Sequence, residues 1–280
     1  IKIQNHVAKG GTANLEHDVV QGEFNSLVQV DSDTYALAYS GDGGDGFIST
    51  FTISSSGAIT AVRTQSLANN LEHELAFGQY NSLVQVDSDT YALAYAGSGN
   101  DGFISTFTIS SSGVITAVKT QSLGNNLEHD TDNGTVNSLV QVDSDTYALA
   151  YAGSGLDGYI STFDIAADGT TITEITSLEH DTDNGTYNSL VQVDSDTYAL
   201  AYAGDSTDGF MSTFTIDTFV ATPTTTKSSD CYDCKPPVLQ SSHITILTND
   251  YVVATGDDII HITANVGDKV TILLNVTDNK

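Results

Sequence analysis

The chain has 280 residues with 36 Asp and Glu against 8 Lys and Arg, a formal net charge of −28. So few cations exclude a nucleic-acid phosphate backbone as partner and disfavour an anionic membrane surface, and no apolar run reaches the roughly 18 residues of a spanning helix. Yet 39% hydrophobic residues, with 13 Tyr and 10 Phe, is too much apolar material for a disordered acidic tail, so the chain should fold. It begins at Ile1 and is expected to be a processed mature protein or a fragment.

Elements follow from an internal repeat. The string NSLVQVDSDTYALAY begins at Asn25, Asn81, Asn137 and Asn188, at intervals of 56, 56 and 51 residues. That period fits an all-β unit and not a helical solenoid. In the first copy, Ser26 to Val30 is a short alternating run, Asp31-Ser32-Asp33-Thr34 is turn chemistry, and Tyr35 to Tyr39 is a second run. Tyr35, Leu37 and Tyr39 then share one face, with Ala36 and Ala38 on the other. A Gly/Asp loop precedes a third run, Phe47 to Ile53, and an SSSG turn precedes a fourth from Ala58 to about Thr64. Four short strands per repeat predict a meander sheet, and large residues facing alanines suit radially stacked sheets. The reading is an all-β fold: a four-bladed β-propeller over 1–217 with a C-terminal partial Ig-like β-sandwich module.

The fourth copy stops after its third strand, Phe210–Asp217. Shifting Ile59–His73 back by 56 residues superposes it on Ile3–His17, so a strand within 1–8 is expected to complete the last blade. It does so within the chain, closing the ring, or in a neighbouring copy, by domain swapping. Residues 218–230 read as a Thr/Ser/Pro linker, and 231–280 as the Ig-like β module, with strands at His243–Thr248, Tyr251–Ala254, Asp258–Asn265 and Lys269–Asn275.

Candidate sites recur with the repeat. Glu16-His17, Glu72-His73, Glu128-His129 and Glu179-His180 are expected at one face with Asp45, Asp101, Asp157 and Asp208. As rings, they could hold calcium or another divalent cation, although no cofactor is required. The simpler account makes the Glu-His pairs braces of the blade junctions. Asn133, Asn184 and Asn275 head glycosylation sequons. Cys231 and Cys234, as a lone C-x-x-C, read as a small disulfide loop of an oxidising compartment.

The repeated NSLVQVDSDTYALAY with D-G-[FY]-[IM]-S-T-F and L-E-H-[DE], followed by CYDCKPP, resembles the propeller-type repeat modules of large secreted or cell-surface microbial proteins, archaeal ones in particular. The resemblance implies a surface location and modular assembly, without a known ligand. The chain has no G-x-S-x-G, H-E-x-x-H or P-loop, and each candidate acid recurs in every repeat, so an enzyme is not expected. The expected function is an extracellular structural subunit of a surface layer or filament, joined to copies of itself head to tail through β-strand complementation. The alternative is a lectin-like adhesive propeller binding glycans between blades.

Overall fold

The structure, a computed structural model, describes residues 14–217, 244–246 and 272–274. The chain divides into two compact units, Ile1–Thr218 and Phe219–Lys280. The described residues are all-β, and the only helical pieces among them are three-residue 3-10 turns.

The first unit holds four antiparallel sheets in chain order. The first contains β1 (Glu23–Gln29), β2 (Thr34–Ser40), β3 (Gly46–Ile53), β4 (Ile59–Arg63) and β5 (Leu71–Glu74). The second repeats it as β6 (Gln79–Gln85), β7 (Thr90–Ala96), β8 (Gly102–Ile109), β9 (Ile115–Lys119) and β10 (Leu127–Asp130). The third has β11 (Thr135–Gln141), β12 (Thr146–Ala152), β13 (Gly158–Ile165) and β14 (Ile172–Asp181), and the fourth β15 (Thr186–Gln192), β16 (Thr197–Ala203) and β17 (Gly209–Thr215).

Local chemistry explains the strand ends. In the DSDT turn, Val30 N–H donates to Thr34 O at 2.7 Å and Ser32 N–H to Asp31 Oδ1 at 2.7 Å. The last strand position is filled in two ways. In the first two sheets the chain leaves β3 or β8 at a 3-10 turn, Gln65–Leu67 or Gln121–Leu123, then returns to the same strand as β5 or β10. Asn69 ties the first detour, accepting from Thr64 N–H at 2.9 Å and donating to Val62 O at 3.3 Å. The third sheet lacks the detour, so β14 runs unbroken along β13, which accounts for the shorter third interval.

Each repeat also opens with a bulge. The register of β1 on β2 shifts between Glu23 and Ser26, and Phe24 there has φ +52°. Tyr80, Val136 and Tyr187 repeat this left-handed geometry, which is strained for any residue with a Cβ and most of all for β-branched Val136.

The core consists of seams between successive sheets. Ala36, Ala38 and Ile48 of the first sheet pack on Tyr91, Leu93, Tyr95 and Phe107 of the second. Ala92, Ala94 and Ile104 meet Tyr147, Leu149, Tyr151 and Phe163, and Ala148, Ala150 and Ile160 meet Tyr198, Leu200 and Tyr202. The predicted division of large and small faces is thus used directly: each bulky face seats on the flat alanine face of the sheet before it. The innermost strands follow the same order, β1 on β6, β6 on β11 and β11 on β15.

No such seam joins the fourth sheet to the first among the described residues. Leu27 is 57% exposed, whereas its equivalents Leu83, Leu139 and Leu190 are each 4% exposed. At the other end Met211 is 77% exposed, against 0% for Ile48 and Ile104 and 6% for Ile160. Ring closure through a strand within 1–8 concerns residues outside those described, as do the linker 218–230, Cys231, Cys234 and Asn275. In the second unit, β18 (Ile244–Ile246) pairs antiparallel with β19 (Ile272–Leu274), Ile244 opposite Leu274. These two strands lie within the first and last strands expected there.

Candidate functional site

The Glu-His pairs mark the sheet junctions. Glu72 and His73 are on β5, Glu128 and His129 on β10, Glu179 and His180 on β14, and Glu16 and His17 precede β1. Alternation along a strand sends neighbouring side chains to opposite faces, so one of each pair enters the seam. That one is the histidine. His73 is fully buried, edge-on to Tyr95 at 4.7 Å between ring centroids and near Phe107 at 5.9 Å. His129 meets Tyr151 at 4.8 Å and Phe163 at 5.9 Å, His180 meets Tyr202 at 4.8 Å and Phe214 at 5.6 Å, and His17 meets Tyr39 at 4.6 Å.

A glycine lies against each ring: for His73, His129 and His180 it is the glycine that opens the third strand of the same sheet, and for His17 it is Gly22, where a Cβ would lie 2.9 Å from His17 Cε1. A Cβ on Gly46 would lie 2.5 Å from His73 Cε1, and one on Gly158 would lie 2.5 Å from His180 Cε1; Gly102 stands in the same way against His129. A second glycine completes the close approach: a Cβ on Gly78 would overlap Gly46 Cα, as one on Gly134 would overlap Gly102 and one on Gly185 would overlap Gly158. Backbone bonds then lock each junction, from Gly78 N–H to Gly44 O at 2.9 Å, Gly134 N–H to Asn100 O at 2.8 Å and Gly185 N–H to Leu156 O at 2.7 Å.

Burial decides the charge of these histidines. It lowers the His73 and His129 pKa from 6.5 to about 3, and lowers those of His180 and His17 against the opposing pull of Asp181 and Asp18. Among the described residues neither ring nitrogen of His73, His129 or His180 has a hydrogen-bond partner, and the aromatic rings of the next sheet are their main contacts. Glu72 sits by Asp45, and burial together with that neighbouring carboxylate raises its pKa.

The structure does not gather the candidate ligands Glu16, His17, Glu72, His73, Glu128, His129, Glu179 and His180 into one ring. Each histidine occupies its own junction, and among the described residues no group of three or more His, Cys, Asp or Glu is placed to hold a metal ion. The sequon residues Asn133 and Asn184 are also structural: their amide nitrogens donate to Gly153 O at 2.8 Å and Gly204 O at 3.2 Å. In the same loops Asp130 Oδ1 accepts from the N–H groups of Asp132 and Asn133, and Asp181 Oδ1 from those of Asp183 and Asn184.

Further bonds repeat across the seams. Leu83 N–H donates to Ser26 Oγ at 2.9 Å, Leu139 N–H to Ser82 Oγ at 2.9 Å and Leu190 N–H to Ser138 Oγ at 3.0 Å. Asn81, Asn137 and Asn188 donate to Phe24 O, Tyr80 O and Val136 O at 3.2, 3.3 and 3.3 Å. Thr50 Oγ1 donates to Gly113 O at 2.8 Å and Thr106 Oγ1 to Gly169 O at 2.7 Å. The close approach of the paired glycines is not legible within one repeat, although Asp-Gly and Leu-Glu-His recur at matching offsets along the chain.

No family model matches the chain, and no curated protein matches it. Among solved structures it is similar to a putative exo-β-1,3-galactanase from Bifidobacterium bifidum, at 13% identity over 70% of this chain and 69% of that one, with a TM-score of 0.47. It is similar to the NanB sialidase of Streptococcus pneumoniae at 9% identity over 64% of this chain and 27% of that one, TM-score 0.42. It is also similar to a putative 6-phosphogluconolactonase from Bacteroides fragilis at 15% identity over 69% of this chain and 56% of that one, TM-score 0.43. The chain therefore spans only about a quarter of the sialidase and just over half of the lactonase.

These likenesses correct the exclusion of an enzyme. Structures named as enzymes are among those similar to these propeller-like sheets, so missing motifs from other folds do not remove catalysis from consideration. They carry no active-site residue over to this chain.

Proposed function

We propose that the chain is an extracellular structural subunit whose first unit is a four-bladed propeller-type module and whose second is a partial Ig-like module. Copies join head to tail into a filament or surface layer by β-strand complementation. The observation that supports this reading is the repetition of one seam three times, with the same residue types at each junction, and its absence at both ends of the array among the described residues. A repeated seam of this kind accepts further units without new chemistry. Net charge supports a secreted setting, because external salt screens the repulsion between acidic copies.

Electron microscopy of the purified full chain tests the proposal. Filaments or sheets with a regular repeat are the expected result, and monodisperse single particles at all protein and salt concentrations would count against it. A glycan array checks the adhesive reading, for which a reproducible hit with no assembly is the signature.

A further inference from the structure

The two ends of the sheet array are the two halves of the seam that the chain builds three times. Around the last sheet, Gly209 has nothing within 4 Å of the position a Cβ would take, whereas its equivalents Gly46, Gly102 and Gly158 each lie under a histidine. The edge of β17 away from β16 has no partner strand among the described residues, whereas β3, β8 and β13 are all paired on that edge. Tyr187, Val191 and Val193 are exposed with Met211, and Ser189 has no leucine N–H to accept among the described residues.

The first sheet carries what is missing. Leu15-Glu16-His17-Asp18 matches Leu71–Glu74, Leu127–Asp130 and Leu178–Asp181, each of which lies as a strand along the preceding sheet. Leu15–Asp18 alone is not in a strand. His17 already sits over Tyr39 and Phe51, as His73 sits over Tyr95 and Phe107, but no glycine of a preceding sheet covers it. Gly22 occupies the place of Gly78, and Gly57, at the turn equivalent to that of Gly113, has open space around it. Leu37, Tyr39 and Phe51 on this face are already buried within the chain, so the part left free for a second copy is the end around Leu27 together with Leu15–Asp18.

We infer that the first sheet of one copy docks on the last sheet of another, with Leu15–Asp18 adding to the free edge of β17. This deepens the proposed head-to-tail assembly and rests on it. The internal pairs fix the register. Ile48 faces Leu71, Phe47 faces Glu72 and Gly46 faces Glu74, so Met211 of one copy faces Leu15 of the next, Phe210 faces Glu16 and Gly209 faces Asp18. His17 then covers Gly209. The remaining bonds follow the same template: Leu27 N–H to Ser189 Oγ, Asn25 to Tyr187 O, Gly22 N–H to Thr207 O, and Thr213 Oγ1 to Gly57 O. These groups are neutral, but Glu16 comes beside Asp208 as Glu72 lies beside Asp45, so the contact is expected to tighten as salt screens the two carboxylates. Main-chain pairing supplies affinity and the apolar Leu15, Leu27 and Met211 supply fit.

Cross-linking tests the register. In a Cys231→Ser, Cys234→Ser background, Leu15→Cys and Met211→Cys are made as separate variants of the full chain and mixed under oxidising conditions. Directly opposed strand residues place their Cβ atoms about 4.5–5.5 Å apart, near enough for a disulfide after small adjustment. The mixture is expected to give a covalent dimer, and each variant alone at least tenfold less. A shift of one residue, Leu15→Cys with Ser212→Cys, is expected to cross-link at least tenfold less than the designed pair.

No dimer in the mixture overturns the inference; if microscopy still shows assemblies, the structural role stands and only this interface fails. A chain carrying both cysteines that cross-links to itself as a monomer overturns it in favour of closure within one chain. Absence of both assemblies and cross-links overturns the inference and the structural role together.

Discussion

His129 stands edge-on to Tyr151, with 4.8 Å between ring centroids, while the backbone of Gly102 closes over its other side. The imidazole is thus a neutral wedge between the second and third sheets, and its fit depends on a missing side chain in one sheet and an aromatic ring in the next.

Gly102→Ala is therefore expected to destabilise the dilute protein by ~2 kcal/mol, since an inserted methyl group in a packed junction costs about 1–3 kcal/mol. Gly209→Ala, at the open position, is expected to change monomer stability by less than ~0.5 kcal/mol. Urea denaturation of both variants measures the difference, and equal losses would count against the wedge.

Stability should fall with pH below the ordinary histidine range. His73 and His129 have folded pKa values of about 3 against 6.5 when exposed, so below pH 6.5 the unfolded chain takes up protons that the folded chain does not. Each contributes a loss of ~1.4 kcal/mol per pH unit between those limits, and the full contribution is present above pH 6.5. His129→Gln removes one titrating group, so its unfolding free energy between pH 6 and 5 should fall less steeply than that of the parent.

Glu74 departs from the pattern set by Asp18, Asp130 and Asp181. It is fully buried, and burial raises its pKa despite the N–H groups of Ala76 and Leu75 that favour its charged form. A raised carboxyl pKa costs stability above the folded pKa, and the cost disappears as pH falls and both states become protonated. Glu74→Gln is expected to raise the urea midpoint at pH 7, with the gain vanishing in acid; no gain at pH 7 would show that the carboxylate is well satisfied.

Salt should stabilise the fold. A formal charge of −28 with acids on loop after loop, including Asp45 beside Glu72, generates self-repulsion that added ions screen. Thermal melting in increasing sodium chloride should shift upward. Calcium at matched ionic strength tests for a specific ion, which would add a stabilisation that saturates.

The all-β class, the strand positions and the division of each second strand into a bulky and a flat face are properties of residue order. Alternation in Tyr35-Ala36-Leu37-Ala38-Tyr39 has a strict period of two, so local geometry alone assigns its faces. The role of the Glu-His pairs was not decided there, because a carboxylate beside an imidazole fits a metal ligand and a packing brace equally well. Tertiary packing decided for the wedge, since the imidazole lies between a glycine of one sheet and an aromatic ring of the next, residues far apart in sequence.

Ring closure is of the same kind. Shifting the repeat shows which segment could complete the last sheet, but whether it meets β17 of its own chain depends on the small rotation between successive sheets, accumulated over three seams. No single repeat encodes that sum. The packed structure leaves Leu27 and Met211 exposed at opposite ends of the array, each lacking among the described residues the neighbour that its equivalents have within it.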